Sequence, residues 1–256
     1  MAKVNYTTAL ANEYTRLYKT CDAQANHFNA IDKLVDKILS HRSRYENVSD
    51  TLGIPWYFIA AIHNMESSQN FSKHLHNGDP LTARTRQVPK NRPKTGTPPF
   101  TWEESAVDAL KLRRLHKLKD WSLPRMLYEL EGYNGWGYRL YHSHVKSPYL
   151  WSYSSHYTSG KYVADGTWSD IAKSRQCGAV ALIKRLDERG EISLLTVNKL
   201  LFFYSNKEED QAEKLQQFLN QFDGIALRVD GWPGKGTSSA MHDLFGFYLK
   251  GDPRND

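Results

Sequence analysis

Cysteine is nearly missing from this chain of 256 residues: only Cys21 and Cys177 occur, too few for a disulfide framework or a cysteine-rich zinc module. No apolar run approaches the roughly 20 residues that a membrane-spanning helix needs. The opening Met1-Ala2-Lys3-Val4-Asn5-Tyr6 lacks the apolar core of a signal peptide, so the chain is expected to stay in the cytosol unless another machine exports it. No His-Glu-x-x-His is present, and the pairs His74-x-His76 and His142-x-His144 are weak evidence for zinc, read more simply as surface or hydrogen-bonding histidines. No metal and no cofactor is implied. Residues 84–94 contain no acid, and neither do residues 111–119. Both runs read as solvated faces or as attractors for an anionic envelope polymer, and no nucleic-acid module accompanies them.

Apolar residues make up 40% of the chain, enough to bury a core and exclude wholesale disorder. The net charge of +6 divides unevenly, with +9 before residue 205 and −3 from there to the end. A basic body favours a polyanionic partner without choosing among nucleic acid, membrane and wall.

Strong periodicity is almost all helical. The three-and-four spacing of Tyr14, Leu17, Tyr18, Cys21, Ala25, Phe28, Val35 and Ile38 predicts one helix from about Asn12 to Leu39. That phase makes Cys21 a buried hydrophobe rather than a reactive thiol. A second helix is predicted from Pro55 through Phe58, Ile59 and Ile62. Thr101-x-x-Glu104 is a capping-box pattern announcing a third, carried through Leu110, Leu115 and Leu118. Ser122 and Pro124 open a helix predicted to end at Glu131-Gly132, and Ser169 to Glu188 reads as another, stopped by Gly190. Residues 72–100 and 132–168 are long irregular stretches, the second rich in aromatics, and loops of that length in a compact domain are usually functional. A boundary is expected after the apolar run Leu200-Leu201-Phe202-Phe203-Tyr204, giving a main domain of residues 1–204 and a small helical module of residues 205–256, in which Thr237 could cap a helix.

Glu66 is the first candidate catalytic residue. It stays near the apolar phase of its helix and falls at the C-terminal end, where burial and the helix dipole both raise a carboxyl pKa, as a general acid needs. The competing reading is a glutamate that exits to solvent. Asp79 and Thr85 follow on the next loop, supplying a second carboxylate and a hydroxyl, the pair of functions that glycoside cleavage uses beside its acid. Taken alone, Asn77-Gly78-Asp79-Pro80 is equally a turn with Asp as turn former.

Ile59-Ala60-Ala61-Ile62-His63-Asn64-Met65-Glu66-Ser67 resembles the catalytic-helix motif of the lysozyme superfamily, particularly goose-type lysozymes and soluble lytic transglycosylases. The Asp79-x5-Thr85 spacing is similar to the Glu/Asp/Thr triad of phage-type lysozymes, with a longer Glu-to-Asp spacer here. Tyr133-Asn134-Gly135-Trp136-Gly137-Tyr138 resembles the Tyr-Asn-x-Gly segment that lines the sugar cleft of transglycosylase-like domains, except that Gly follows Asn directly. In the tail, Leu215-Gln216-Gln217-Phe218-Leu219-Asn220 and Asp230-Gly231-Trp232-Pro233-Gly234-Lys235-Gly236-Thr237-Ser238-Ser239-Ala240 are similar to the small helical peptidoglycan-binding module. The alternative for the tail is an ordinary helical cap.

The resemblance implies a mainly α, lysozyme-like helical domain, with room for a small β-hairpin after the catalytic helix. It implies an endolysin-like peptidoglycan hydrolase cleaving between N-acetylmuramic acid and N-acetylglucosamine: Glu66 as acid, Asp79 and Thr85 handling water or positive charge. Substrate contacts are expected from Tyr133, Asn134, Tyr138, Tyr149 and Trp151, with Trp136, Tyr153 and Tyr157 as further sugar-stacking candidates. The expected partner is bacterial peptidoglycan, with no nucleic acid, and the chain is expected to act as a monomer. It would reach the wall through a membrane pore or a delivery apparatus. A lytic transglycosylase with Glu66 acting alone, a zinc amidase and a non-catalytic wall- or nucleic-acid-binding protein are the alternatives.

Overall fold

A computed structural model describes residues 4–194, 202–209 and 211–255. The chain divides into two compact units, Met1–Leu194 and Leu195–Asp256, and among the described residues both are mainly α-helical. The division falls ahead of the expected boundary at 204/205. Phe202 and Tyr204 pack into the core of the second unit, and the Tyr204 amide donates to Lys250 O at 2.9 Å. Leu200 and Leu201, the start of the apolar run, lie outside the described residues.

The first unit is built on α1 (Thr8–Lys19), α2 (Phe28–Ser40), α3 (Arg42–Leu52), α4 (Trp56–Ser67), α5 (Trp102–Leu112), α6 (Leu123–Asn134), the short α7 (Gly137–Tyr141) and α8 (Pro148–Trp151), and α9 (Ala179–Glu188). The single helix expected over 12–39 is broken after α1. Gln24 is drawn out by tertiary bonds, its amide to Tyr153 O (3.0 Å) and its side chain to Ser154 O and Tyr157 O (both 2.9 Å). Helix α3, with Tyr45, Val48 and Leu52 buried, was not anticipated.

Helix α4 is apolar on every side, with Phe58, Ile59, Ala60, Ala61 and Ile62 no more than 1% exposed. It packs against α3 and α9, while α1 packs on α6 and α2 on α9. A helix buried all round is the expected place for such a composition. The Thr101–Glu104 capping box is formed at α5, with the Glu104 amide donating to Thr101 Oγ1 at 3.2 Å and the Thr101 amide to Glu104 Oε2 at 2.8 Å. That helix stops at Leu112, short of its predicted extent, because Arg114 turns left-handed (φ 59°) into a short 3-10 turn, Leu115–Lys117. Helix α6 continues two residues past Gly132.

Residues 170–178 are irregular, so α9 begins at Ala179 rather than Ser169. Gly178 precedes it, where an added Cβ would lie 2.4 Å from Leu150 O, and only glycine permits α9 to approach α8 so closely. The β-hairpin expected after α4 is reduced to one bridge, Lys73 to Pro80. The two-stranded antiparallel sheet lies instead at β1 (Lys161–Ala164) and β2 (Thr167–Ser169). Cys21 and Cys177 are both buried and unbonded to each other, and burial pushes the Cys177 thiol up to about 12.

In the second unit, α10 (Ala212–Leu219) and α11 (Lys235–Phe245) enclose a core of Leu215, Leu219, Ala240 and Leu249. Helix α11 starts at Lys235, so Thr237 lies inside its first turn, where its hydroxyl accepts from Gln216 Nε2 at 3.2 Å instead of capping the helix.

Candidate active site

The packing of α4 sets the position of Glu66. The helix ends abruptly because Ser68 and Gln69 are both left-handed, at φ 53° and 57°. Its last carbonyls are closed from outside: Gln176 Nε2 donates to Met65 O at 2.7 Å and to Asn64 O at 3.3 Å. Glu66 is therefore held on a fixed helix end, half-buried, with its carboxylate accepting from the Tyr149 hydroxyl at 2.9 Å. Burial raises the Glu66 carboxyl above its ordinary value, and it remains raised although the Tyr149 hydroxyl and the Arg113 charge both pull it down.

Three tyrosines and an arginine surround this corner. Tyr133, at the end of α6, and Tyr149, on α8, are each 8% exposed. Burial and the Glu66 charge keep both phenols protonated. Arg113 lies 4.5 Å over the Tyr133 ring and donates to Tyr133 O at 3.2 Å, which brings a cation beside the pair. Tyr138 is pushed up to about 12 by burial. A cleft of about 320 Å³ opens here, lined by Met65, Asn134, Tyr138, Tyr149, Tyr162 and Gln176 among others. It adjoins Glu66 through Met65 and Tyr149, and its lining residues include no carboxylate.

Of the residues picked from sequence, Glu66, Tyr133, Asn134, Tyr138 and Tyr149 thus meet in one region. Trp151 does not line this cleft: it is 1% exposed and packs edge-on to His156 at 5.4 Å between ring centres. Trp136 packs on Tyr128 (4.8 Å), and Tyr153 stacks on His27 at 3.7 Å.

Asp79 reaches the neighbourhood by a different route. The turn passes the end of α4, where a Cβ at Gly78 would sit 3.5 Å from Glu66 O. Asp79 Oδ2 accepts from Asn77 Nδ2 (3.1 Å), Arg86 N (2.8 Å) and Gln87 N (3.1 Å). Burial pushes its carboxyl up, but those donors outweigh it and leave the group below the usual aspartate value, ionised at neutral pH. Thr85 is 3% exposed, and its hydroxyl is engaged inside its own loop, donating to Pro89 O and accepting from Arg92 N at 2.9 Å. The structure gives both residues loop-holding bonds and brings neither into the lining of the cleft.

The histidine pairs also have structural partners. His74 Nδ1 lies 2.8 Å from Ser105 Oγ, and His76 Nε2 lies 2.8 Å from Asp108 Oδ2. His142 stacks on Trp168 at 3.5 Å. Among the described residues, no three His, Cys, Asp or Glu side chains gather as a metal site.

Arg113, Gln176 and Tyr162 were not singled out from sequence as site residues. Arg113 was visible only as one charge in a basic run, and Gln176 fell inside a predicted helix.

The motif residues of the second unit act as its internal scaffold. Gln216, 1% exposed, donates to Asp230 Oδ1 (2.9 Å), Trp232 O (3.1 Å) and Thr237 Oγ1, and accepts from Asp230 N (3.0 Å) and Gly231 N (2.9 Å). Asn220 pairs with both backbone groups of Leu227, at 2.8 and 2.6 Å. The exposed large apolar side chains of this unit include Trp232 and a group of phenylalanines, Phe218, Phe222, Phe245 and Phe247.

No family model, curated protein or solved structure matches the chain.

Proposed function

We propose that the chain cleaves the β-1,4 glycosidic bond between N-acetylmuramic acid and N-acetylglucosamine in bacterial peptidoglycan, through a lysozyme-like helical domain with Glu66 as general acid. One observation carries this reading: a carboxyl raised by burial, fixed on the end of an apolar helix, beside a polar and aromatic cleft. A raised carboxyl remains protonated closer to neutral pH, so it can deliver a proton to the leaving glycosidic oxygen. Tyr138 and Tyr162 offer ring edges and faces to a pyranose, and Asn134 offers an amide to its hydroxyl or acetamido groups. The second unit is proposed to bind the wall through its exposed aromatic residues.

Hydrolysis would take its water from the Asp79 side. Transglycosylation is the second reading, favoured by the bonds that engage Asp79 and Thr85 within their own loop. There Glu66 would act first as acid and then as base, while the muramyl 6-hydroxyl closes a 1,6-anhydro ring.

Digestion of purified peptidoglycan followed by mass analysis tests both. Reducing ends mark hydrolysis, and anhydro ends, lighter by one water, mark transglycosylation. Undiminished clearing by Glu66→Gln would overturn the assignment.

A further inference from the structure

The first basic run is tethered to the helix that leads into the second. Arg92, in the loop, holds Asp108 of α5 with two bonds of 2.8 and 2.6 Å. Lys111 and Leu112 follow Asp108 by three and four residues, so they continue the helix face that the loop is fastened to. Arg86, Lys90 and Lys94 on the loop, and Lys111, Arg114 and Lys117 after it, are all exposed. None of these six takes part in an ion pair among the described residues.

The acids of this stretch are engaged elsewhere. Glu103 pairs with Arg44 at 2.6 Å, Glu104 closes the capping box, and Asp108 holds Arg92 and His76. The positive charge of the surface is therefore not cancelled within the segment. Two apolar side chains protrude among these cations. Val88, between Arg86 and Lys90, is 82% exposed, and Leu112, between Lys111 and Arg113, is 45% exposed. Cations alone suit any polyanion. Exposed apolar side chains set between cations suit a surface that offers anionic headgroups above hydrocarbon.

The geometry points to a peripheral attachment face for anionic phospholipid, formed by the 84–94 loop and the 111–119 segment, that holds the first unit against a membrane surface. The cations meet lipid phosphates, and Val88 and Leu112 enter the headgroup boundary. No helix among the described residues is long and apolar enough to cross a membrane, so the attachment is superficial. The six cations, Val88 and Leu112 are not among the residues around Glu66, and Arg113, which lies in that corner over the Tyr133 ring, is kept intact in every variant.

Co-sedimentation of the full chain with vesicles of phosphatidylcholine, with and without phosphatidylglycerol, tests the assignment. The chain is expected to sediment with the anionic vesicles only, and less so as salt rises. Lys90→Gln and Lys111→Gln are each expected to weaken binding about fivefold, the value of one cation at an anionic surface. Lys33→Gln on α2 should leave it unchanged, and Val88→Ser should weaken the part that survives salt. Melting curves matching the wild type show that the variants are folded. Equal binding to neutral vesicles, or Lys90→Gln behaving like Lys33→Gln, would overturn the proposal. So would binding to soluble polyglycerol phosphate as strong as to vesicles and insensitive to Val88→Ser, which would make the face a polymer-binding one.

Discussion

Removal of a single hydroxyl gives the most discriminating test of Glu66. In Tyr149→Phe the ring stays in its buried place, but the 2.9 Å bond to Glu66 Oε1 is lost. That bond favours the ionised carboxylate and is one of two influences restraining the rise caused by burial, the other being Arg113. A hydrogen bond to a charged group is worth about 1.5–3 kcal/mol, and each pH unit corresponds to about 1.4 kcal/mol. A general acid works while protonated, so activity falls as pH rises through its titration. Loss of the bond should therefore move the alkaline limb of the pH–rate profile upward by about one pH unit. Initial clearing rates of a wall suspension, measured across the pH range for wild type and Tyr149→Phe, read this directly. A limb that stays in place, or moves to lower pH, would refute the placement of Glu66 as acid with Tyr149 as its restraint.

Glu66→Gln should reduce clearing by about a hundredfold or more. The native state holds the Glu66 proton more tightly than the unfolded chain does, so stability falls as pH rises from the ordinary carboxylate value through the raised one; the glutamine variant should consequently melt higher at neutral pH in calorimetry. Gln216→Ala removes five hydrogen bonds from the second unit and should destabilise it by about 3 kcal/mol or more, seen as earlier melting of that unit while cleavage of soluble glycan fragments persists. Gly178→Ala places a methyl 2.4 Å from Leu150 O and should cost about 2–3 kcal/mol in denaturant titrations of the first unit.

The elements legible in sequence were those whose stabilising partners lie nearby in the chain. The capping box of α5 spans four residues, Thr101 to Glu104, and Pro55 with Phe58, Ile59 and Ile62 marks α4 before any packing is known. Glu66 was found because its distance along that helix can be counted. Elements set by distant partners were not legible. The apolar rhythm of 12–39 runs unbroken, yet Tyr153, Ser154 and Tyr157 draw Gln24 out of helix. Arg113 and Gln176 meet the Glu66 corner from just past the end of α5 and from the irregular segment before α9, and neither carries a local pattern that points there. Asp79 and Thr85 were visible as residue types at a suggestive spacing. Their bonds to the amides of Arg86, Gln87 and Arg92 depend on how the loop doubles back, and spacing does not encode that.

The arrangement around Gln216 divides the labour of the second unit. The buried Gln216 and Thr237, the half-buried Asp230 and the exposed Asn220 tie the loop of this unit to its helices, whereas the side chains of Trp232 and the phenylalanines stand largely in solvent. What makes the unit fold and what it would touch are thus carried by separate sets of side chains. Exchanging the outer aromatic residues should therefore change what the unit presents to solvent while its internal bonding stays whole.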